Sequence, residues 1–175
     1  MHSDERARDV EALARRWGSR LYAFCRRLAP SRADADDLYQ QTFLRVLDMP
    51  GRVEEGNNPA GFLMAIAARL WRDEQVKRAR RHRIAPVDPE PDRVEQAPDT
   101  GSTEQLVEDA MLRREVQESV RKLPDVLRMP VLLFYMGGLS VREVADALHL
   151  PQGTVKTRLY QARQQLKSEL EGYSI

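Results

Sequence analysis

The chain has 175 residues, 42% hydrophobic and 31% charged, which excludes wholesale disorder and leaves room for one domain or two small ones. Cys25 is the single cysteine, so an internal disulfide and a cysteine-based zinc site are excluded. No run approaches the ~18 apolar residues of a membrane span, and residues 1–17 lack an apolar signal core, so a cytoplasmic location without membrane insertion is expected.

Aromatic residues make up only 6% of the chain, so the core must be aliphatic. Leu, Val and Ala recur at helical spacing and alternating β-branched runs are missing, which predicts an all-α fold. The first helix spans about Asp9 to Ala29, with Val10, Leu13, Trp17, Leu21, Phe24 and Leu28 on one stripe. Pro30-Ser31 ends it. A second helix spans about Ala33 to Leu47. Asp34, Asp36 and Asp37 sit in its first turns, where carboxylates suit the positive end of the helix dipole. Its expected inward residues are Ala35, Leu38, Thr42 and Val46, with Phe43 alongside.

A polar loop lies between Met49-Pro50-Gly51 and Asn57-Asn58-Pro59. The third helix starts near Pro59, runs through Phe62, Ile66 and Leu70, and enters a basic block. From Arg69 to Arg83 there are seven bases against two acids. From Ile84 to Asp109 there are eight acids against one base. The two blocks cancel in the net charge of +1, which therefore hides both. Residues 84–103 also hold four of the ten prolines, as an extended acidic linker would. The expected organisation is an N-terminal helical domain over 1–83, a linker over 84–104 and a second helical domain over 105–175.

In the second domain Leu106 to Leu123 is helical, with Val116, Val120 and Leu123 on one side. A short apolar helix, Val126 to Met136, ends at Gly137-Gly138. Pro130 within it predicts a kink or a late helix start. Ser140 and Glu143 then form a capping box, with Val141, Val144, Ala145 and Leu148 facing inward. His149-Leu150-Pro151 is a turn, and Pro151 suits the first position of the next helix. A turn that needs positive φ would favour glycine where His149 stands. In the last helix Val155, Leu159, Ala162 and Leu166 pack inward. Gly153, Lys156, Thr157, Tyr160, Arg163 and Lys167 lie on the opposite face.

A buried scaffold helix, a tight turn and a helix with a basic outer face make a helix-turn-helix, whose second helix reads the major groove. Lys156 and Thr157 can bond bases or phosphates, Arg163 can neutralise a flanking phosphate, and Gly153 permits close backbone approach. A plain helical hairpin with a solvated basic face is the competing reading. The three histidines do not cluster in sequence, and no phosphate loop, metal-ligand spacing or nucleophile motif occurs, so no catalytic residue, metal or cofactor is expected.

At LYAFCRRLAPSRADADDLYQQTFLRVL and LPDVLRMPVLLFYMGGLSVREVADALHLPQGTVKTRLYQARQQL the chain resembles an extracytoplasmic-function (ECF) sigma factor of the RNA polymerase sigma family. The resemblance implies a subunit that binds core RNA polymerase and directs promoter-specific initiation. It assigns Asp36, Asp37, Leu38, Gln40 and Gln41 to docking on the clamp helices of the largest polymerase subunit. It assigns Asn57, Asn58 and Phe62 to capture of a flipped −10 base, and Arg69, Arg72, Lys77, Arg78, Arg80 and Arg81 to −10 DNA. Gly153, Thr154, Lys156, Thr157, Tyr160 and Arg163 fall at the −35 reading positions. The family often has tryptophan at Phe62 and asparagine at Arg69. An anti-sigma factor is a further implied partner. The alternative is a stand-alone helix-turn-helix regulator, which leaves the acidic start of the second helix and the basic third helix unexplained.

Overall fold

The structure, a computed structural model, describes residues 2–49, 58–84 and 104–172. Among these the fold is entirely helical: α1 (His2–Leu28), α2 (Arg32–Asp48), α3 (Pro59–Ile84), α4 (Glu104–Lys122), α5 (Asp125–Val131), α6 (Val141–Leu148) and α7 (Gln152–Glu171). A π-helical turn, Leu132–Met136, continues α5. The expected linker, apart from its end residues Ile84 and Glu104, lies outside the described residues, as do Gly51 to Asn57 of the polar loop. No helix among the described residues is long and apolar enough to cross a membrane.

Helices α1 and α2 form a hairpin with α3 packed across both. The stripes of α1 and α2 are buried as their spacing predicts, except Trp17, which is half-buried. Ser31 caps α2, its Oγ accepting from Asp34 N at 3.1 Å. Thr42 is fully buried and satisfies its hydroxyl by donating to Leu38 O at 2.7 Å. Cys25 lies among these apolar side chains, and burial pushes its thiol up to about 12.

α3 departs from its expected stripe. Phe62 and Leu70 are half-buried, whereas Leu63, Met64, Ala67, Ala68 and Trp71 are buried. One side of α3 packs on α1 and α2, and another meets α6 and the π turn. A helix covered on two sides loses the one-sided polarity that a stripe depends on.

In the C-terminal half α4, α5 and α6 all pack on α7. Val120 of α4 and Leu123 just beyond it are buried, while Val116 stays 36% exposed. Pro130 neither delays nor ends its helix. The chain passes through it and widens, with Gly137 N donating to Leu132 O at 3.0 Å, five residues back. A π turn just beyond a proline absorbs the donor and space that the ring removes. Gly138 then leaves with φ +66°, a conformation that costs glycine little.

Ser140 caps α6 as predicted, its Oγ accepting from Glu143 N at 3.1 Å. His149 does occupy the left-handed position, with φ 54° and ψ 46°. Pro151 sits one place earlier than expected, as the N-cap of α7 and not its first helical residue. Left-handed backbone costs an L-residue roughly 1–2 kcal/mol, and His149 is exposed, so little packing is lost by truncating it. His149→Gly should therefore stabilise the protein by about 0.5–1 kcal/mol after allowing for glycine's greater unfolded-state freedom. A urea midpoint no higher than that of the parent would show that the turn is not strained.

Candidate nucleic-acid interface

The turn at His149 lays α7 across α6, burying Val155, Leu159 and Ala162 against the domain. Its opposite face is open. Gly153, Lys156, Thr157, Tyr160 and Arg163 are exposed and Thr154 is half-buried. A Cβ placed on Gly153 would meet nothing within 4 Å, so its backbone is free to approach a phosphate closely. Two side chains are already engaged. Thr157 Oγ1 donates to Gly153 O at 2.9 Å. Arg163 Nε donates to Tyr135 Oη at 2.6 Å, and its guanidinium lies over the Phe134 and Tyr135 rings. Lys156 is thus the most available base on this open face, and the hold of Tyr135 on Arg163 is a contact that sequence alone did not reveal.

On α2 the residues Asp36, Asp37, Gln40 and Gln41 form an exposed acidic and amide face. Leu38 is buried, 5% exposed, and supports that face from the core. Gln41 Nε2 donates to Asp37 at 3.1 Å. Tyr22 Oη of α1 donates to Asp36 at 2.5 Å and stacks edge-on against Tyr39, which stacks in turn on Phe43. Tyr22 was missed in the sequence, although a signal exists. Residues 22 and 36 lie seven places either side of Ala29, and equidistant residues face each other across a tight helical hairpin.

On α3 the bases divide into two groups. Lys77, Arg80 and Arg81 are exposed, without a partner among the described contacts. Arg78 is tied down: it reaches Asp34 at 2.6 Å and Glu74 at 3.5 Å, and covers the Trp71 ring. Arg69 and Arg72 point to the C-terminal half. Arg69 Nε donates to Ala147 O at 2.9 Å and its Nη2 to Asp146 O at 3.3 Å, while Arg72 Nη1 donates to Leu148 O. Asn58 is the N-cap of α3, its Oδ1 accepting from Gly61 N at 3.0 Å, and its Nδ2 donates to Gly137 O at 2.7 Å. Phe62 is half-buried beside it. Asn57 lies outside the described residues.

Partial burial works to raise the Asp34 carboxyl, but hydrogen bonds from Arg78 and Ser31 and the Arg78 charge together hold it below its ordinary range. A depressed carboxyl stabilises the fold above its unfolded pKa and loses that contribution as pH falls through the folded one. Because Arg78 is 41% exposed, solvent screening limits the pair to about 0.5 kcal/mol. Asp34→Asn should lower the urea midpoint at pH 7, and by progressively less in acid as the carboxyl of the parent is protonated. An equal loss at pH 7 and in acid would rule out the charged pair as the cause.

Sigma-70 region 2 matches residues 13–82 and Sigma-70 region 4 matches residues 113–166, so most of the chain falls within the two matches. The ECF RNA polymerase sigma factor SigE of Mycolicibacterium smegmatis is 32% identical over 164 residues, covering 94% of this chain and 62% of that relative's length. The ECF sigma factor SigW of Bacillus subtilis is 27% identical, covering 86% of this chain and 83% of SigW. Among solved structures, the sigma factor RpoE of Bartonella quintana, in complex with the anti-sigma factor NepR, shares the fold with a TM-score of 0.67 at 21% identity. That match covers 96% of this chain and 95% of RpoE. CnrH, in complex with the cytosolic domain of CnrY, does so at 0.57 and 22%, covering 98% and 96% of the two chains. With both regions present in order on an all-helical frame, the chain belongs to the sigma-70 family, as one of the ECF RNA polymerase sigma factors.

Proposed function

We propose that the chain is a promoter-specificity subunit with no catalysis of its own. Residues 1–83 hold core polymerase and the −10 element, 84–104 link, and 105–175 hold the −35 element. The exposed face of α2, with Asp36, Asp37, Gln40 and Gln41, docks on the clamp helices of the largest polymerase subunit. The basic face of α3 holds the melted −10 strand, with Asn57, Asn58 and Phe62 at the flipped base, where edge hydrogen bonds and ring stacking are needed. The open face of α7 reads the −35 duplex through Lys156, Thr157 and Tyr160, with Arg163 toward the backbone. The observation that carries this reading is the presence of both sigma regions in one chain, each presenting an exposed polar face.

An anti-sigma factor is the natural inhibitor. Of the structural relatives above, RpoE is a sigma factor held in complex with the anti-sigma factor NepR, and CnrH is held in complex with the cytosolic domain of CnrY. A groove of about 770 Å³ between α4, the π turn and α7, lined by Val116, Val120, Leu132, Tyr135 and Leu166, offers apolar surface for such a partner.

Start-site mapping on genomic DNA with reconstituted holoenzyme tests the function. A defined set of starts sharing −35 and −10 sequences is expected. Absence of any transcript that depends on the added chain would end the proposal.

A further inference from the structure

Arg27, in the last turn of α1, is half-buried and has no acidic partner among the described residues. Its guanidinium carries N–H donors at all three nitrogens, yet the acceptor it meets is the Met136 thioether, with Nη1 donating to Sδ at 3.2 Å. A thioether is a weak acceptor. Burial, and next the charge of Arg121, lower this guanidinium from the usual arginine range. The negative end of the α1 dipole favours a cation here, and still leaves most of its donors without a protein acceptor. The side chain lines the groove of about 770 Å³ between α4, the π turn and α7, and Arg163 reaches the same groove from α7. Tyr135 holds Arg163 by its Nε, and the two Nη atoms meet no acceptor among the described residues. Arg27 and Arg163 thus reach consecutive residues of the π turn, Met136 and Tyr135, and gather positive charge there. Lys167, a turn further along α7, already faces Glu171 at 3.9 Å. The remaining walls are largely apolar, with Val116 and Val120 from α4 and Leu166 and Leu170 from α7.

We infer that this groove is a binding site for a medium-chain carboxylate, its alkyl tail among Val116, Val120, Leu166 and Leu170 and its head on Arg27 and Arg163. A guanidinium fork matches the two oxygens of a carboxylate. The volume falls within the range of roughly 300–1,000 Å³ usual for small-molecule sites. From Arg163 to Leu170 α7 rises about 10 Å, close to the extended length of decanoate. Charge gathered at one point suits one anionic head on one apolar tail, whereas an acidic partner helix spreads its charges along a face. Arg163 is also the residue proposed above for the −35 DNA backbone. A carboxylate bound there excludes a phosphate, so occupancy of the groove weakens −35 binding. That consequence rests on the proposed function; the site itself does not. A protein partner covering the groove has to displace the ligand.

Isothermal titration of decanoate, below its micelle concentration, into the free full-length chain tests the site. Saturable binding at one site is expected, with decan-1-ol about tenfold weaker, since a charge-assisted hydrogen bond adds about this much. Acetate, which has no tail, should give no heat. Arg27→Gln should lower the decanoate affinity about tenfold and leave that of decan-1-ol unchanged. Val116→Glu, at an exposed position of α4, should weaken both ligands by placing a charge among the tail contacts. It decides the matter if Arg27→Gln fails to fold by circular dichroism. Equal affinity for decanoate and decan-1-ol would overturn the site, as would a response that does not saturate or variants that bind like the parent. So would an acidic amphipathic peptide that binds where decanoate does not, which would give the groove to a protein partner. Decanoate should also weaken binding of a −35 duplex about threefold, through the loss of one phosphate contact. A duplex affinity unaltered by bound decanoate would overturn the competition for Arg163. A chain that takes decanoate and never binds duplex counts against the proposed function and not against the site.

Discussion

Replacing Lys156 by alanine should reduce −35-dependent initiation about tenfold while leaving the affinity for core polymerase unchanged. A single base or phosphate contact is worth roughly 1–3 kcal/mol of discrimination, and Lys156 is an exposed α7 base with no side-chain partner among the described residues competing for it. Its neighbours are less free, since Thr157 bonds Gly153 O and Arg163 bonds Tyr135. If Lys156 meets a phosphate, the salt dependence of promoter binding should also flatten by about one counterion. Asp37→Ala should do the reverse, weakening core binding by about tenfold with −35 binding intact. Truncation of an interfacial charge costs roughly this much or more where the charge is desolvated. Start-site counts and a fluorescence titration against core polymerase separate the two. Loss of both functions in either variant would mean that the two faces are wrongly assigned.

The largest stability effect is expected at Arg128. Its side chain is 12% exposed, and it donates to Arg121 O at 3.0 Å, Leu123 O at 2.9 Å and Leu28 O, while pairing with Asp125. One guanidinium thus closes the end of α4 and meets the end of α1. Arg128→Ala strands several helix-terminal carbonyls at once, and leaving buried polar groups unpaired costs about 1–3 kcal/mol each, less where water can enter. A total near 3 kcal/mol is expected, lowering Tm by roughly 6–12 °C for a chain of this size. Arg128→Met keeps the aliphatic stem and loses the bonds, so it should recover only part of the loss. A Tm within 2 °C of the parent for Arg128→Ala would refute the assignment.

How well the sequence foretold each element follows from how many sides that element buries. α1 and α2 bury one side, and their stripes read directly: Leu13, Leu21, Phe24, Ala35, Leu38 and Val46 are all core. α3 buries two, so Leu63, Met64, Ala68 and Trp71 escaped a single-stripe reading. The capping box, the glycine exit at Gly138 and the strained turn at His149 were visible because each is set by local backbone chemistry. The π turn was not, since proline predicts only that the ladder is broken and not how the chain recovers. For the candidate site, residue type and spacing placed the bases on two helices, and these helices are present as α3 and α7. What they could not give was which bases are free. Arg69, Arg72 and Arg78 find partners 44 to 78 residues away in sequence, and such pairings depend on how helices stack.

Cys25 gives the molecule a clock. A thiol held at about 12 in place of 9.0 carries roughly a thousandfold less thiolate near neutrality, and the thiolate is the form that reacts with alkylating reagents. Packing among the side chains of α1 removes access as well. Each molecule alkylated under native conditions therefore records one excursion in which the α1 core came apart. With a single thiol in the chain, the labelling rate converts directly into the population of that open form when closing outruns the reagent. The stability of the N-terminal core can thus be followed inside a crowded complex, with no added probe and no denaturant.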